Sequence, residues 1–163
     1  MNGFNSIVIE ESGKYLVKPL PISAEFISEF KQSLTLIYTN IQRDTNDIAK
    51  SHENIDKTNL LSIAKEGLTC FTNEDIRGIG KLIKTSWEEK KSISNLISTK
   101  EVDKIISNVI SYGAYGAKLL GSGGSGFICV VGPPNTINKI NHIYKNRVLN
   151  FKFDTSGPQT VLS

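Results

Sequence analysis

Four glycines and two serines in the six positions 121–126 restrict the fold of this chain more than any other feature. Residues without bulky side chains cannot pack a core, and glycine disfavours helix. The apolar run Phe-Ile-Cys-Val-Val follows at 127–131, so the glycine run predicts a loop held against a strand. Such a loop lets backbone N–H groups approach a ligand, usually an anion.

Two common phosphate-binding motifs are excluded. Gly121, Gly123 and Gly126 have the spacing G-x-G-x-x-G. The dinucleotide fingerprint needs a strand before the glycines and a helix after them, whereas this sequence predicts a helix before them and a strand after them. The Walker motif is excluded because no Gly-Lys-Ser or Gly-Lys-Thr follows the loop. One alternative remains open, which is that the glycines only let the flanking elements pack closely.

Composition indicates one folded domain. The chain has 163 residues, of which 39% are hydrophobic and 21% are charged. A formal net charge of +3, with lysines spread along the chain, is too mild to indicate nucleic-acid binding. We expect no membrane partner, because no run of about 18 apolar residues occurs. The N-terminus also lacks a signal-peptide pattern.

Cysteine and histidine usage indicates a reduced compartment and no metal site. Cys70 and Cys129 lie in apolar surroundings, which favours free, reduced thiols over a disulfide. We therefore expect a cytoplasmic protein. His52 and His142 have no neighbours at ligand spacing, so no metal site is expected.

The first forty residues have strand patterns. Alternation over 4–10 and 14–20 predicts a hairpin that turns at Gly13. Ser23 is a typical N-cap for a short helix, and 33–39 is a strongly apolar strand.

Helical spacing dominates the middle of the chain. Apolar residues at i, i+3, i+4 and i+7 predict three helices, which are 60–68, a helix starting near Thr72 or Asn73, and 102–110. A capping box from Ser98 to Glu101 would begin the third helix, and Gly113 would end it.

The last part of the chain returns to strands. It predicts strand 126–131, a helix from Pro133 and strands at 147–153 and 159–162. This order predicts an α+β sandwich with a mainly antiparallel sheet and helices on one face.

The glycine run also carries a family resemblance. Residues 113–127 read Gly-Ala-Tyr-Gly-Ala-Lys-Leu-Leu-Gly-Ser-Gly-Gly-Ser-Gly-Phe and resemble the third motif of the GHMP small-molecule kinases, which include galactokinase and mevalonate kinase. Segments 4–5, 36–39 with Arg43, and 86–91 with Ser94 resemble the branch that contains heptose 7-phosphate kinases. The resemblance covers most of 1–163. It implies a single, ferredoxin-like C-terminal domain of a sugar kinase.

The resemblance also implies what this sequence lacks. The N-terminal half of a GHMP kinase carries the phosphate loop Pro-x-x-x-Gly-Leu-Gly-Ser-Ser, the catalytic Asp and the Ser or Glu that helps to hold magnesium. No counterpart of that loop occurs in these 163 residues. The expectation is that ATP and Mg²⁺ serve the complete enzyme, that this chain alone holds neither, and that it contains no catalytic residue. Catalysis would need the N-terminal half, from a longer parent protein or a separate polypeptide.

Within the family the glycine motif faces the nucleotide phosphates and the substrate. The resemblance therefore implies a phosphate-facing loop made of Lys118, Gly121, Ser122, Gly123, Gly124, Ser125 and Gly126. It gives three weaker candidates on the side of the sugar or sugar phosphate, which are Arg43, Trp87 and Lys90.

Each candidate also has a plain structural explanation. Trp87 lies at helical spacing from Ile83, which favours core packing, and Lys90 is typical of an exposed helix face. In its structural explanation, Lys118 only pairs with an acidic side chain. Gly78 and Gly80, inside a predicted helix, each cost about 1 kcal/mol relative to Ala. That cost indicates close approach by another element or by a ligand.

A second class of function stays open. A ferredoxin-like domain also serves as a non-catalytic ligand-binding or interaction module. Its apolar surface would then meet a partner chain or a second copy, so self-association is expected.

Overall fold

The computed structural model describes residues 4–41 and 58–153, and within these ranges it is an α+β structure with antiparallel sheets. The predicted class is therefore confirmed. Its elements in chain order are β1 (Asn5–Ile9), β2 (Tyr15–Pro19), α1 (Ala24–Gln32), β3 (Leu34–Tyr38), α2 (Thr58–Thr72), α3 (Ile76–Ile93), α4 (Lys100–Ser111), β4 (Gly116–Leu119), β5 (Phe127–Val131) and α5 (Pro134–Ile143).

The strands form a hairpin and a three-stranded sheet. β1 and β2 pair antiparallel and turn at Gly13, whose φ of +79° suits glycine. The second sheet has the order β3-β5-β4, with both pairs antiparallel. β5 is central, so the apolar run after the glycines becomes the most enclosed strand of the sheet.

Helix ends follow local side-chain chemistry. The Ser23 hydroxyl accepts a hydrogen bond from the Phe26 amide at 3.0 Å and caps α1, as predicted. The cap of α4 is Thr99, one residue later than the predicted Ser98. Gly113, with a φ of +102°, ends α4 as predicted.

The core lies in two clusters. Alternation along the sheet gives one face to residues that pack with α4 and α5, which are Ile37, Ala117, Leu119, Ile128 and Val130. Leu34 and Val131 project from neighbouring strands into a second cluster with Phe26 and Phe30 of α1. This second cluster lies at the end of the sheet opposite the glycine loop, because Leu34 pairs with Val131 whereas Tyr38 pairs with Phe127.

Two predicted elements differ from the structure. The residues before the glycine loop form strand β4, so the predicted order of helix, glycines and strand is wrong. Gly116 and Ala117 have low strand propensity, and pairing with β5 imposes the extended conformation. The predicted strand 147–153 reduces to one bridge, between Ile37 and Val148. The predicted strand 159–162 lies outside the described residues.

Both cysteines are free and half-buried. Within residues 4–41 and 58–153, every helix is too short or too polar to cross a membrane.

Candidate functional site

The glycine loop joins β4 to β5, and its backbone requires glycine at four positions. Gly121, Gly123, Gly124 and Gly126 have φ values of +75°, +126°, +75° and +108°. Side chains with a Cβ rarely adopt such values. The composition of the loop is therefore dictated by its conformation.

The second half of the loop is anchored. The Gly126 carbonyl accepts hydrogen bonds from the amide and the hydroxyl of Thr39, both at 2.9 Å. The Gly124 amide donates to the Ile97 carbonyl at 2.9 Å. A Cβ at Gly123 would lie 3.0 Å from that same carbonyl oxygen. Close packing thus accounts for the glycine at 123.

The first half of the loop borders a cavity. Gly121 is exposed, and a Cβ there would meet nothing within 4 Å. A pocket of about 340 Å³ is lined by Leu60, Ser86, Lys90, Ile93, Gly121 and Ser122. Among the described residues, no hydrogen-bond acceptor lies opposite the Gly121 amide. At Gly121, the described residues therefore leave the backbone amide open beside a concave surface.

Lys90 lines this pocket and Lys118 contacts Ser86, another lining residue, and each lysine donates to a neutral group. The Lys90 ammonium donates to the Gly121 carbonyl. The Lys118 ammonium donates to the Ser86 hydroxyl at 2.7 Å. Ser86 and Lys90 are four residues apart on α3, so they share one face of that helix.

These lysines have no acidic partner in the described part of the chain. The ion pairs there are Lys84–Glu88 at 3.9 Å and Lys91–Asp103 at 2.6 Å. The alternative in which Lys118 only pairs with an acid finds no support among these residues, where its partner is the Ser86 hydroxyl. Within residues 4–41 and 58–153, the positive charges of Lys90 and Lys118 are therefore uncompensated.

Burial shapes the protonation of the site. Burial lowers the pKa of Lys90, and the nearby Lys118 charge lowers it further. Burial also lowers the pKa of Lys118. Cys129, opposite Lys118 in the β4–β5 register, has a pKa raised to about 11 by burial, with Lys118 opposing the shift. Each lowered lysine pKa means that burial disfavours the charged form here.

Helix α3 is held close to β4 by a contact between glycines. A Cβ added at Gly80 would overlap the Tyr115 Cβ and lie 3.4 Å from the Gly116 amide nitrogen. A Cβ at Gly116 would overlap the Gly80 carbonyl. Close approach by another element, predicted from the glycines of this helix, is confirmed at Gly80. This contact positions Ser86 and Lys90 beside the loop.

Trp87, another candidate, lies elsewhere. Trp87 is only 3% exposed and belongs to the core cluster under the sheet. It lines a different groove, of about 520 Å³, between α3 and α4. Arg43 lies outside the described residues. The sequence reasoning did not select Ser86. Its spacing of four residues from Lys90 on a predicted helix indicates that both side chains share one helix face, and this signal could have identified it.

Comparison with known proteins places the site in a family domain. Residues 68–147 match the family model described as "GHMP kinases C terminal", and this range includes both lysines and the whole loop. A curated relative, the D-glycero-alpha-D-manno-heptose 7-phosphate kinase of Campylobacter jejuni, is 29% identical over 166 residues. The alignment covers 95% of this chain and 49% of the relative. The chain therefore spans about half the length of the curated relative it matches.

Solved structures show the same fold. A putative sugar kinase from Campylobacter jejuni superposes with a TM-score of 0.70 at 24% identity, covering 95% of this chain and 46% of that one. A D-glycero-D-manno-heptose 1-phosphate kinase from Bacteroides thetaiotaomicron gives 0.63 at 19% identity, covering 93% and 42%. The galactokinase of Lactococcus lactis gives 0.56 at 13%, covering 87% and 47%. The predicted fold class is confirmed by these matches.

Proposed function

We propose, since this chain carries the C-terminal domain of the GHMP kinases, that it forms one wall of the active site of an ATP-dependent kinase. The acceptor is a hydroxyl group of a sugar or sugar phosphate. One observation carries this proposal, which is the exposed Gly121 backbone beside a pocket lined by Lys90, where neither Lys90 nor the neighbouring Lys118 has an acidic partner among the described residues.

The loop suits part of what phosphoryl transfer needs. That reaction depends mostly on positioning and on neutralising phosphate charge. The Gly121 backbone and the Lys90 ammonium supply donors and positive charge at one pocket, and Lys118 adds a second charge through its contact with Ser86. A phosphate group therefore fits these residues, and the proposal gives the loop the role of contacting the phosphates of ATP or of the acceptor.

A magnesium site does not fit the described residues. No group of three or more His, Cys, Asp or Glu side chains occurs within 4–41 and 58–153. The sequence also lacks the family's Gly-Leu-Gly-Ser-Ser loop. In this proposal the ATP-binding half, in a longer parent protein or a separate polypeptide, supplies the Mg²⁺ ligands and the catalytic residues. This chain alone is then catalytically incomplete.

The proposed acceptor is a heptose phosphate. Support comes from the relative at 29% identity, which is named as a heptose 7-phosphate kinase. A cytoplasmic location fits such a kinase, because free half-buried thiols are typical of reducing compartments.

A complementation assay tests the kinase function. The purified chain is mixed with ATP, Mg²⁺ and heptose 7-phosphate, with and without a separately expressed N-terminal half of the Campylobacter jejuni relative. ADP release is expected only when both halves are present. The relative's own C-terminal half is the positive control for the assay. Turnover by this chain alone would disprove its incompleteness, and an active control beside an inactive mixture would refute the kinase function.

A non-catalytic, self-associating module is the second candidate, and the β1–β2 hairpin favours it. Ile7, Ile9 and Tyr15 are 61%, 74% and 70% exposed. An isolated two-stranded hairpin with bare apolar side chains is marginal in water, so a covering surface is expected. Sedimentation of the chain distinguishes the candidates, because a strict monomer that binds ATP would exclude the interaction module.

A further inference from the structure

We infer that Asp103 is a positioning residue for the glycine loop, because it fixes the Ile97 carbonyl that holds the loop at Gly124. Asp103 acts with Lys91 and Ser98, and these three side chains are called the Asp103 cluster below. The effect of the cluster on catalysis rests on the proposed function, whereas its effect on the loop does not.

The middle of the loop packs on the segment 94–99, which connects α3 to α4. The Gly124 amide donates to the Ile97 carbonyl at 2.9 Å. A Cβ at Gly123 would lie 3.1 Å from the Ile97 Cα, so the two backbones are already in close contact. Gly123, Gly124 and Ile97 are all buried. In such a packed arrangement, the position of Ile97 determines where the middle of the loop can lie.

One carboxylate oxygen of Asp103 joins this segment to both helices. It accepts a hydrogen bond from the Ser98 hydroxyl at 2.9 Å and one from the Lys91 ammonium at 2.6 Å. Lys91 lies in the last turn of α3, and Asp103 lies in the first turn of α4. Hydrogen bonds to an ionised group are roughly twice as strong as neutral ones. Because Ser98 directly follows Ile97 in the chain, these bonds restrict the movement of the Ile97 carbonyl.

Other contacts hold the two ends of the loop. Lys90 donates to the Gly121 carbonyl at the start of the loop, and Thr39 donates to the Gly126 carbonyl at its end. Lys90 and Lys91 are neighbours in the last turn of α3. This turn therefore contacts the start of the loop directly and its middle through the Asp103 cluster.

The exposure of the cluster indicates that its effect is local. The side chains of Lys91 and Asp103 are 39% and 45% exposed. Ion pairs at such positions contribute little to the stability of a whole domain. Losing the cluster should therefore loosen the attachment of the loop at Ile97 while the core stays folded.

Hydrogen exchange of the Gly124 amide, followed by NMR in the ¹⁵N-labelled chain, tests this role. In Asp103→Ala the Gly124 amide should exchange about 5-fold to 10-fold faster, which corresponds to the net strength of a typical hydrogen bond. The Tyr115 amide, which donates to the Val131 carbonyl at 2.8 Å, reports on the core and should change by less than about 1.5-fold. Equal acceleration of both amides would mean general destabilisation and would overturn the positioning role, as would an unchanged Gly124 rate.

A double-substitution cycle tests whether Ser98 acts through Asp103. Ser98→Ala alone should accelerate Gly124 exchange by about 3-fold to 5-fold, because one of the two bonds is lost. Combined with Asp103→Ala it should add nothing, since that bond is already absent. Asp103→Asn keeps an oxygen acceptor and should restore most of the protection. Multiplied rates in the double variant would show that the two residues act separately and would contradict the inference.

Two lysines of α3 provide a matched comparison. Lys91→Met should accelerate Gly124 exchange by about 3-fold, because it removes the bond from α3 to Asp103. Lys84→Met also removes an exposed lysine with an acidic partner, but that partner is Glu88 on the same helix, 3.9 Å away. It should change the rate by less than about 1.5-fold. Equal effects of the two substitutions would exclude a specific path through Asp103.

The complementation assay extends the test to catalysis. With the N-terminal half of the relative present, Asp103→Ala should lower kcat/KM by about 10-fold to 100-fold, because small displacements of a positioning group are costly. Asp103→Asn should recover most of this loss. Full activity of Asp103→Ala beside an active unsubstituted chain would overturn the positioning role in catalysis. An inactive unsubstituted mixture would refute the kinase function instead, and the exchange rates would still decide the role of Asp103 in the loop.

Discussion

The contact between α3 and β4 is tested by Gly80→Ala with Gly67→Ala as its control. Both glycines lie inside helices, so both substitutions gain the same helix propensity, about 1 kcal/mol. A Cβ at Gly67 would meet nothing within 4 Å. A Cβ at Gly80 would overlap the Tyr115 Cβ and lie 3.3 Å from the Tyr115 carbonyl carbon. The difference between the variants therefore isolates the cost of overpacking.

That cost should lie in the upper part of the usual range. The atoms that a Cβ at Gly80 meets belong to the backbone or are bonded to it, so no flexible side-chain end can move aside. Overpacking of this kind costs about 2–3 kcal/mol. Gly67→Ala should raise the free energy of unfolding by about 1 kcal/mol, and Gly80→Ala should lower it by about 1–2 kcal/mol.

Urea unfolding measures this difference. Trp87 is the only tryptophan and is 3% exposed, so its fluorescence reports the unfolding of the core that α3 helps to form. With a slope of about 2 kcal/mol per molar urea, the two midpoints should differ by about 1–1.5 M. If both variants raised the midpoint equally, α3 would not approach β4 at Gly80, and the placement of Lys90 beside the loop would lose its support.

Three further predictions test other parts of the structure. The Cys129 thiol, with a pKa of about 11, should react with iodoacetamide about 100-fold more slowly at pH 8 than a thiol of pKa 9.0, and faster as the pH rises, because burial favours the neutral form. Mass spectrometry of the Cys70→Ser variant measures this, and rapid labelling at pH 8 would contradict it. Thr99→Ala should cost about 1 kcal/mol and lower the melting temperature by about 2–4 °C, since the cap of α4 is lost. An unchanged melting temperature would show that Thr99 does not cap α4. Gly123→Ala should cost about 1–3 kcal/mol in urea unfolding, because its φ is +126° and its Cβ would lie 3.0 Å from the Ile97 carbonyl oxygen; a neutral substitution would show that the loop is not packed there.

Elements with complete local signals could be predicted from the sequence. The β1–β2 hairpin has two-residue alternation and a glycine at its turn, and α1 has an N-cap serine. These patterns reflect preferences within a single segment. They hold because the surrounding structure agrees with them.

The secondary structure of elements that depend on residues distant in the chain was predicted wrongly. β4 has two small residues at its start and becomes a strand only through pairing with β5. Residues 147–153 alternate like a strand, yet Phe153 packs its ring against Phe4 and Phe30, with centroids 5.6 Å and 6.1 Å apart. Apolar alternation shows that side chains will be buried, and it does not show against which element.

The candidate site divides in the same way. The glycine loop, Lys118 and Lys90 were candidates from residue types and from a family resemblance. In the structure Lys90 and the start of the loop line one pocket, and Lys118 contacts Ser86 of that pocket. The partner of Lys118 could not be predicted, because Ser86 is 32 residues away in the chain. Helical spacing predicted that Trp87 packs in the core. It did not predict that Trp87 lies away from the loop pocket.

By itself, the sequence determined where the chain needs left-handed backbone and which residues carry positive charge near it, because both are properties of single residues. Tertiary structure alone decided that α3 approaches β4 at Gly80 and Gly116 and so carries Lys90 to the loop. Such an approach depends on the fit between two surfaces that are separate in the chain, and no local preference encodes that fit.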